Sequence, residues 1–501
     1  MKNKDLKERL IKNSFWSFGV IVINRVGMLI FTILLARLLM PEGYGIYSIV
    51  LSVAMIFYTF TDVGINQTLV RYISFALVEE KKKIPAYHRY LLKLKLILLF
   101  SSSLLLIILS YPLSFYIFKN GALFLPFLVS SFYIFILSLE GFYSQLFFSV
   151  ERVEYLSIRE ILAQSGRIIL VLFVVYFVIY SYQITGIFFL LFILYLLLLF
   201  FSLFYIKKLI PSIFQIPKAG IDKKRVRKFV GYLTVVTVAS VFLFSVNPIM
   251  IGIFLMPEYV GYYTVAFSLI HGVAGLLSFP NSILLPAFTK LNSSKKKIIF
   301  NKTLKYLLSI LVPSLFGLLV LGKYFIRLFF GYSYLPSVLP LYILSFLILP
   351  IICTNLFFSL FSAEEKPEVF AKPMIATCII NVVLNFLLIK SFLPFSNIMA
   401  IVGVAIATLI SWFFYFFVSI RFLKKELKLK FSFEAISKPL IASLIMFFVL
   451  ALSLSLMKDI TLLFGIIEII LGAAVYLIVM LAIKGFTKED LDLIKILIKK
   501  K

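Results

Sequence analysis

Residues 36–53 read ARLLMPEGYGIYSIVLSV, and residues 252–269 read GIFLMPEYVGYYTVAFSL. The second stretch follows the first at an offset of 216 positions without a gap. Leu39-Met40-Pro41-Glu42 returns as Leu255-Met256-Pro257-Glu258, Gly45 as Gly261, Tyr47 as Tyr263, and Ser48 as Thr264. Each copy leaves one long apolar segment and enters another. A repeat at a fixed period marks a chain built from two related halves. In a membrane, a site between such halves can open alternately to either side, which is the architecture of a transporter rather than an enzyme.

Working outward from the repeat, composition settles the solvent. Hydrophobic residues make up 62% of the chain, aromatic residues 17% and charged residues 14%, which is the make-up of a polytopic α-helical membrane protein. Its apolar runs are about twenty residues long, so alternating ten-residue barrel strands are excluded. Fourteen such segments can be read, at about 14–36, 44–68, 95–118, 122–148, 158–180, 184–206, 229–254, 259–284, 304–321, 337–361, 373–390, 399–420, 439–457 and 461–483. The opening MKNKDLKERLIKN is basic, but the stretch from Ser14 to Leu35 is too long for a signal-peptide core and no small-residue cleavage site follows it. It reads as the first membrane helix behind a short basic segment on the cytoplasmic surface. Cys353 and Cys378 lie in or beside expected helices and read as core thiols, not as a disulfide.

The net charge of +28 invites a nucleic-acid reading, but its placement argues for topology instead. With the N-terminus inside, 43 of the 50 Lys and Arg residues fall on the inner side. Six fall outside (Arg37, Lys119, Lys323, Arg327, Lys390 and Lys458), and Arg25 lies within the first segment. That asymmetry is the positive-inside pattern, so both termini are expected in the cytoplasm of a multi-pass cell-membrane protein. Basic runs such as Lys81-Lys82-Lys83 and Lys223-Lys224-Arg225 then face the anionic lipid leaflet, and no nucleic-acid partner is implied.

Six helices return the chain to the cytoplasm, so the two halves share one orientation. The expected division is an N-lobe at 1–206, a basic linker at 207–228, a C-lobe at 229–420, and two extra helices with a tail at 421–501. Every loop is short and no soluble domain stands on either side. This weighs against a membrane polymerase, ligase or glycosyltransferase, which gathers its catalytic groups outside the bilayer. No Walker A loop is present and the chain has two histidines, so neither ATP hydrolysis nor a metal centre is expected. No cofactor is implied.

Polar side chains inside the bilayer are costly and each is a functional candidate. Arg25 is the sharpest, eleven residues into the first segment and beside Asn24. Either it grips an anionic substrate, for which a guanidinium offers a planar fork of donors, or it belongs to a buried ion pair. Thr59, Asp62 and Asn66 fall at i, i+3 and i+7 on one helical face. Asp62 lies at a height where it could pair with Arg25 while the site is empty. Glu140 and Gln145, with Arg167, form a second polar group. Farther along stand Asn247 beside Pro248, His271, Asn281 beside Pro280, Asn355, and Asn381 with Asn385, which share a face. Side chains of this kind either contact substrate or bond between helices. Glu468 stands isolated. Pro248, Pro280 and Pro286 are candidate kinks in the seventh and eighth segments.

Several local patterns resemble the polysaccharide-transporter, Wzx-like branch of the multidrug/oligosaccharidyl-lipid/polysaccharide (MOP) flippase superfamily. They are Leu35-Ala36-Arg37 through Pro41-Glu42-Gly43-Tyr44-Gly45, Thr61-Asp62-Val63-Gly64 with Arg71, and Phe329-Phe330-Gly331-Tyr332. Asn381-Val382-Val383-Leu384-Asn385, followed by Val402 to Thr408, is the most specific. The resemblance implies an all-α integral membrane fold of about fourteen helices, with two pseudo-symmetric six-helix lobes around a central cavity and two extra C-terminal helices. It further implies flipping of a lipid-linked oligosaccharide by alternating access, with Arg25 at the position of a phosphate-holding arginine. The second lobe departs from that cationic picture, since it has no arginine or lysine at mid-membrane depth. The expected partners are a polyprenyl-(pyro)phosphate-linked oligosaccharide, membrane lipids, a coupling H+ or Na+, and polysaccharide-assembly proteins. The expected substrate-binding set is Arg25, Asn24, Asp62, Asn66, Glu140, Gln145, Asn247, His271, Asn381 and Asn385. Two other readings remain open: a cation-coupled drug or metabolite exporter of the same fold, and a non-transporting subunit of a polysaccharide-assembly complex.

Overall fold

The computed structural model describes residues 2–217, 219–277, 293–363, 368–427, 434–456 and 462–485. Among these residues every regular element is a helix. Eleven helices are long and apolar enough to cross a membrane, or up to twelve if the pair Tyr332–Ser345 and Ile348–Phe361, bent by 44°, is one span. Among the described residues the expected fourteen is not reached by this measure; the first two expected segments fall within the single stretch Gly19–Val78. Pro280, Asn281 and Pro286 lie outside the described residues.

Helix α1 (Lys2–Asp62) is broken at Met40, whose φ of 58° and ψ of 173° leave the helical region. Pro41 follows with no N–H to give, so it opens the next helical run at no hydrogen-bond cost. The second repeat does the same thing: α8 (Lys223–Phe254) ends, and α9 (Pro257–Leu277) opens on Pro257. The two copies also touch. A Cβ built on Gly45 would overlap the carbonyl of Pro257, and one built on Gly261 would overlap the carbonyl of Pro41. Only glycine lets these backbones approach so closely, as at other tight helix crossings in membranes.

Between these come α2 (Ile65–Val78), α3 (Ile84–Pro112), α4 (Phe124–Ser144), α5 (Leu146–Ser149), α6 (Val153–Phe177) and α7 (Gln183–Leu209). Helix α3 illustrates why they orient as they do. Leu91, Lys95, Leu99, Ser102 and Leu106 are buried, while Ile97, Phe100, Leu104 and Ile108 are exposed. Both faces are largely apolar, as a helix between protein and lipid requires, and Lys95 and Ser102 sit on the protein side.

The later helices are α10 (Ser293–Phe325), α11 (Val338–Ser345), α12 (Ile348–Ala363), α13 (Glu368–Phe392), α14 (Asn397–Leu427), α15 (Glu434–Ser455) and α16 (Leu462–Ala482). By packing, the chain forms two compact units: Met1–Ser268 with Met374–Val404, and Leu269–Pro373 with Ala405–Lys501. In the second, Ala442, Met446 and Leu450 of α15 and Tyr476 and Met480 of α16 make a core against Phe316 and Val320 of α10. The Tyr476 hydroxyl donates to the Ser309 carbonyl at 2.7 Å, which ties the C-terminal hairpin to α10.

Candidate functional site

The polar side chains of the first unit converge in two clusters. At the foot of α1 the helix stops because Val63 and Gly64 take positive φ values of 33° and 81°. The next helix has Gly64 as its N-cap, and Asp62 Oδ1 accepts from the Asn66 backbone N–H in its first turn at 3.0 Å. The same oxygen meets Lys95 Nζ at 3.4 Å, and Asn66 Oδ1 lies 3.5 Å from that ammonium. Lys95 is wholly buried. Two sequence expectations need correction here. Thr59, Asp62 and Asn66 do not form one continuous helical face, because the turn at Val63–Gly64 intervenes. The cation that meets Asp62 is Lys95, not Arg25, since α3 starts at Ile84 and carries Lys95 into the protein rather than leaving it in a loop.

The second cluster joins α1, α4, α6 and α7. Glu140 of α4 is fully buried and receives both arms of the Arg159 guanidinium, with Nε at 3.0 Å from Oε1. Ser202 of α7 donates to the same carboxylate at 3.3 Å. Arg159 also donates to Glu160 Oε2 at 2.7 Å. The other Glu160 oxygen accepts from Asn24 Nδ2 and Gln164 Nε2, each at 2.7 Å. Arg167 donates to the Tyr195 hydroxyl, and the Arg159 and Arg167 guanidiniums lie 5.5 and 5.4 Å from the Tyr195 ring centroid. Glu140 therefore pairs with Arg159, not with the expected Arg167. Gln145 sits half-buried at the end of α4 and its side chain makes no hydrogen bond among the described residues.

Both clusters are charge-balanced. Asp62 offsets Lys95, while Glu140 and Glu160 offset Arg159 and Arg167. Pairing of this kind is what makes buried charge tolerable in a membrane protein. Arg25 differs. It is exposed, and among the described residues it makes no ion pair or hydrogen bond. Its neighbours on α1 explain where it points. Asn24, Gly27 and Phe31 follow the i, i+3, i+7 rule and pack on α6: Asn24 on Glu160, Gly27 against the Gln164 side chain, and Phe31 5.9 Å below Arg167. Arg25, one residue on from Asn24, is turned about 100° from that seam.

A third polar group lies between α8, α9 and α13. Asn385 Nδ2 donates to Asn247 Oδ1 at 2.8 Å and to Asn381 Oδ1 at 3.1 Å, and Asn247 Nδ2 donates to the Tyr263 hydroxyl at 2.9 Å. All three asparagines are fully buried, and Asn385 Oδ1 and Asn381 Nδ2 have no partner among the described residues. His271, on α9, belongs to the other compact unit and is half-buried. Glu468 accepts from Ser453 Oγ at 2.7 Å within the C-terminal hairpin. Among the described residues no three His, Cys, Asp or Glu side chains gather as a metal site.

Lys95, Arg159, Glu160, Gln164, Tyr195 and Ser202 were not among the residues expected from sequence. A signal was there, because Glu160, Gln164 and Arg167 stand at i, i+4 and i+7 on one face of an apolar helix.

Residues 10–292, more than half of the chain, match the family described as "Polysaccharide biosynthesis protein". The chain belongs to that family. No curated protein matches it in sequence. Among solved structures it is similar to the lipid II flippase MurJ in an inward closed conformation, with 18% identity and a TM-score of 0.70 over 94% of this chain and 98% of that one. It is also similar to an inward-facing multidrug resistance MATE family transporter of the MOP superfamily. There the identity is 13% and the TM-score 0.66, over 81% of this chain and 95% of that one. A MOP superfamily transporter from Pyrococcus furiosus, whose binding pocket is described as of reverse polarity, aligns at 12% identity and a TM-score of 0.53 over 82% and 96%. The fold is thus the MOP fold, as the sequence motifs led one to expect, and it is a fold of multi-pass membrane transporters.

Proposed function

We propose that this chain is a flippase that carries a polyprenyl-(pyro)phosphate-linked oligosaccharide from the inner to the outer leaflet of the cell membrane by alternating access. The observation that carries the reading is Arg25. The cations of the two buried clusters are balanced by acids, whereas Arg25, in the membrane span Gly19–Val78, makes no ion pair or hydrogen bond among the described residues. An exposed guanidinium at that depth is stable only where water or an anion reaches it, and a phosphate or pyrophosphate supplies the matching acceptors. Family membership and the MOP fold support the same reading. The repeat supports lobes at 1–206 and 229–420 that rock about a site between them, with both termini in the cytoplasm. Asn24, Asp62, Asn66, Glu140, Asn247, Asn381 and Asn385 position helices around that site rather than touch phosphate, because each is engaged by protein. Gln145 stays a candidate for sugar contact, and so does His271, which also has a contact within the protein. The buried acids of the two clusters, Asp62, Glu140 and Glu160, are all paired with cations, which weighs against a cation-exporter reading built on them. A coupling ion and assembly proteins remain part of the proposal as partners.

The test is flipping of a fluorescent polyprenyl-pyrophosphate oligosaccharide in proteoliposomes by wild type, Arg25→Lys and Arg25→Ala. Wild-type flipping, a partial rate in Arg25→Lys and loss in Arg25→Ala, at unchanged thermal stability, are expected. Absence of flipping by folded wild type, with and without an ion gradient, overturns the function. Full activity in Arg25→Ala overturns the site alone.

A further inference from the structure

Helix α3 turns two cations outward while it buries a third. Arg89 and Lys93 are exposed one turn apart, whereas Lys95, about 200° around the helix from Lys93, points inward to Asp62. The two outward cations head a groove of about 590 Å³, lined among the described residues by Arg89, Leu92, Lys93, Leu96, Ile97 and Phe100. These positions fall at i, i+3, i+4, i+7, i+8 and i+11, a single stripe of the helix. The stripe runs on, apolar and exposed, through Leu104 and Ile108. Neither Arg89 nor Lys93 makes an ion pair or hydrogen bond among the described residues, and α3 from Ile84 to Pro112 contains no acid. Nothing in the flipping reading uses this face.

We propose that this stripe binds an anionic glycerophospholipid of the surrounding leaflet, its phosphate between Arg89 and Lys93 and an acyl chain along Ile97, Phe100 and Leu104. The dimensions agree. Four residues separate the two cations, about 6 Å along the axis, a gap that two flexible side chains close around one phosphate. Eleven residues separate Lys93 from Leu104, about 16 Å, close to half of a hydrocarbon core about 30 Å thick. The chemistry narrows the occupant. A lipid without net charge leaves the two cations unanswered, an organic cation meets its own sign, and a soluble anion makes no use of the apolar stripe. An anionic lipid answers both parts at once, with the guanidinium offering phosphate two donors in one plane. Bound there, it would hold α3 in the rotation that keeps Lys95 against Asp62. The proposal does not depend on what the protein transports, so a failed flipping assay leaves it standing.

The experiment is native mass spectrometry of the delipidated full-length protein, titrated with phosphatidylglycerol or with phosphatidylcholine of the same chains. One phosphatidylglycerol should bind more tightly than phosphatidylcholine, and should weaken as salt is raised. The variant Arg89→Gln/Lys93→Gln should lose affinity by about fivefold per cation, on the order of twenty-fivefold in all. The variant Lys207→Gln/Lys208→Gln, which removes two exposed lysines at the end of α7, should lose none. All four substituted side chains are exposed, and thermal unfolding of each lipid-free variant checks that it is folded. Phosphatidylglycerol should raise the unfolding temperature of wild type and leave that of Arg89→Gln/Lys93→Gln unmoved. Equal binding of the two lipids, salt-independent binding by wild type, or equal losses in the two variants overturns the proposal. Displacement of phosphatidylglycerol by inorganic phosphate at matched concentration overturns it in favour of a soluble anion, and tighter binding of a polyprenyl phosphate overturns it in favour of the transported lipid.

Discussion

Replacing Asp62 by Asn should destabilise the protein far more than replacing its partner Lys95 by Met, although both changes break one ion pair. The asymmetry follows from where the two charges sit. The Lys95 side chain is 0% exposed and the Asp62 side chain 20% exposed. In Asp62→Asn the ammonium keeps only amide oxygens, with Asn66 Oδ1 at 3.5 Å, and stranding a buried charge in this way costs about 3–5 kcal/mol. In Lys95→Met the carboxylate keeps the Asn66 N–H at 3.0 Å and its contact with solvent, so about 1–2 kcal/mol is expected. The double variant Asp62→Asn/Lys95→Met removes both charges and should recover most of the loss, giving a coupling of about 2 kcal/mol or more. Equilibrium unfolding in mixed micelles of the wild type, the two single variants and the double variant measures all four corners. Equal costs for the single variants, or additive costs in the double, would refute the assignment of Lys95 as the buried, dependent partner.

Three further outcomes are expected. Gly45→Ala and Gly261→Ala should each lower stability by more than the roughly 1–3 kcal/mol of ordinary overpacking, because each new methyl meets backbone, while Gly317→Ala, with open space around it inside α10, should be neutral or gain up to about 1 kcal/mol. Thermal unfolding in detergent compares the three. Tyr195→Phe keeps the ring between Arg159 and Arg167 but removes the hydroxyl, so a loss of about 1–2 kcal/mol is expected against a larger loss in Tyr195→Ala, read in the same assay. Asn385→Leu should cost more than Asn381→Leu, by about 1 kcal/mol, since Asn385 bonds to two side chains and Asn381 to one; equal costs would sink that ordering.

The class and the segmentation were legible because about twenty apolar residues in a row have one physical solution in lipid. The break at Met40-Pro41 was legible as a repeated motif, and Asn381 and Asn385 as neighbours, because an i, i+4 spacing is a local property. What escaped was partnership across helices. Lys95 looked like a loop charge because the apolar run was read as starting at residue 95, whereas the helix extends back to Ile84 and turns Lys95 to its inner face with Leu91 and Leu99. Arg159 was hidden in the same way, counted with the basic flank of α6 although it lies one and a half turns inside it. Pairings such as Asp62 with Lys95 or Glu140 with Arg159 depend on which helix faces which, and nothing local in a sequence encodes that.

The reciprocal contact of Gly45 on Pro257 and Gly261 on Pro41 is self-complementary. Residue i touches j' while j touches i', which is the pattern of an isologous interface, the kind a two-fold homodimer makes with itself. One steric requirement is therefore shared by two distant stretches of sequence. A side chain at either glycine strikes the backbone of the other copy, so each copy of the 216-residue echo tolerates only what the other leaves room for.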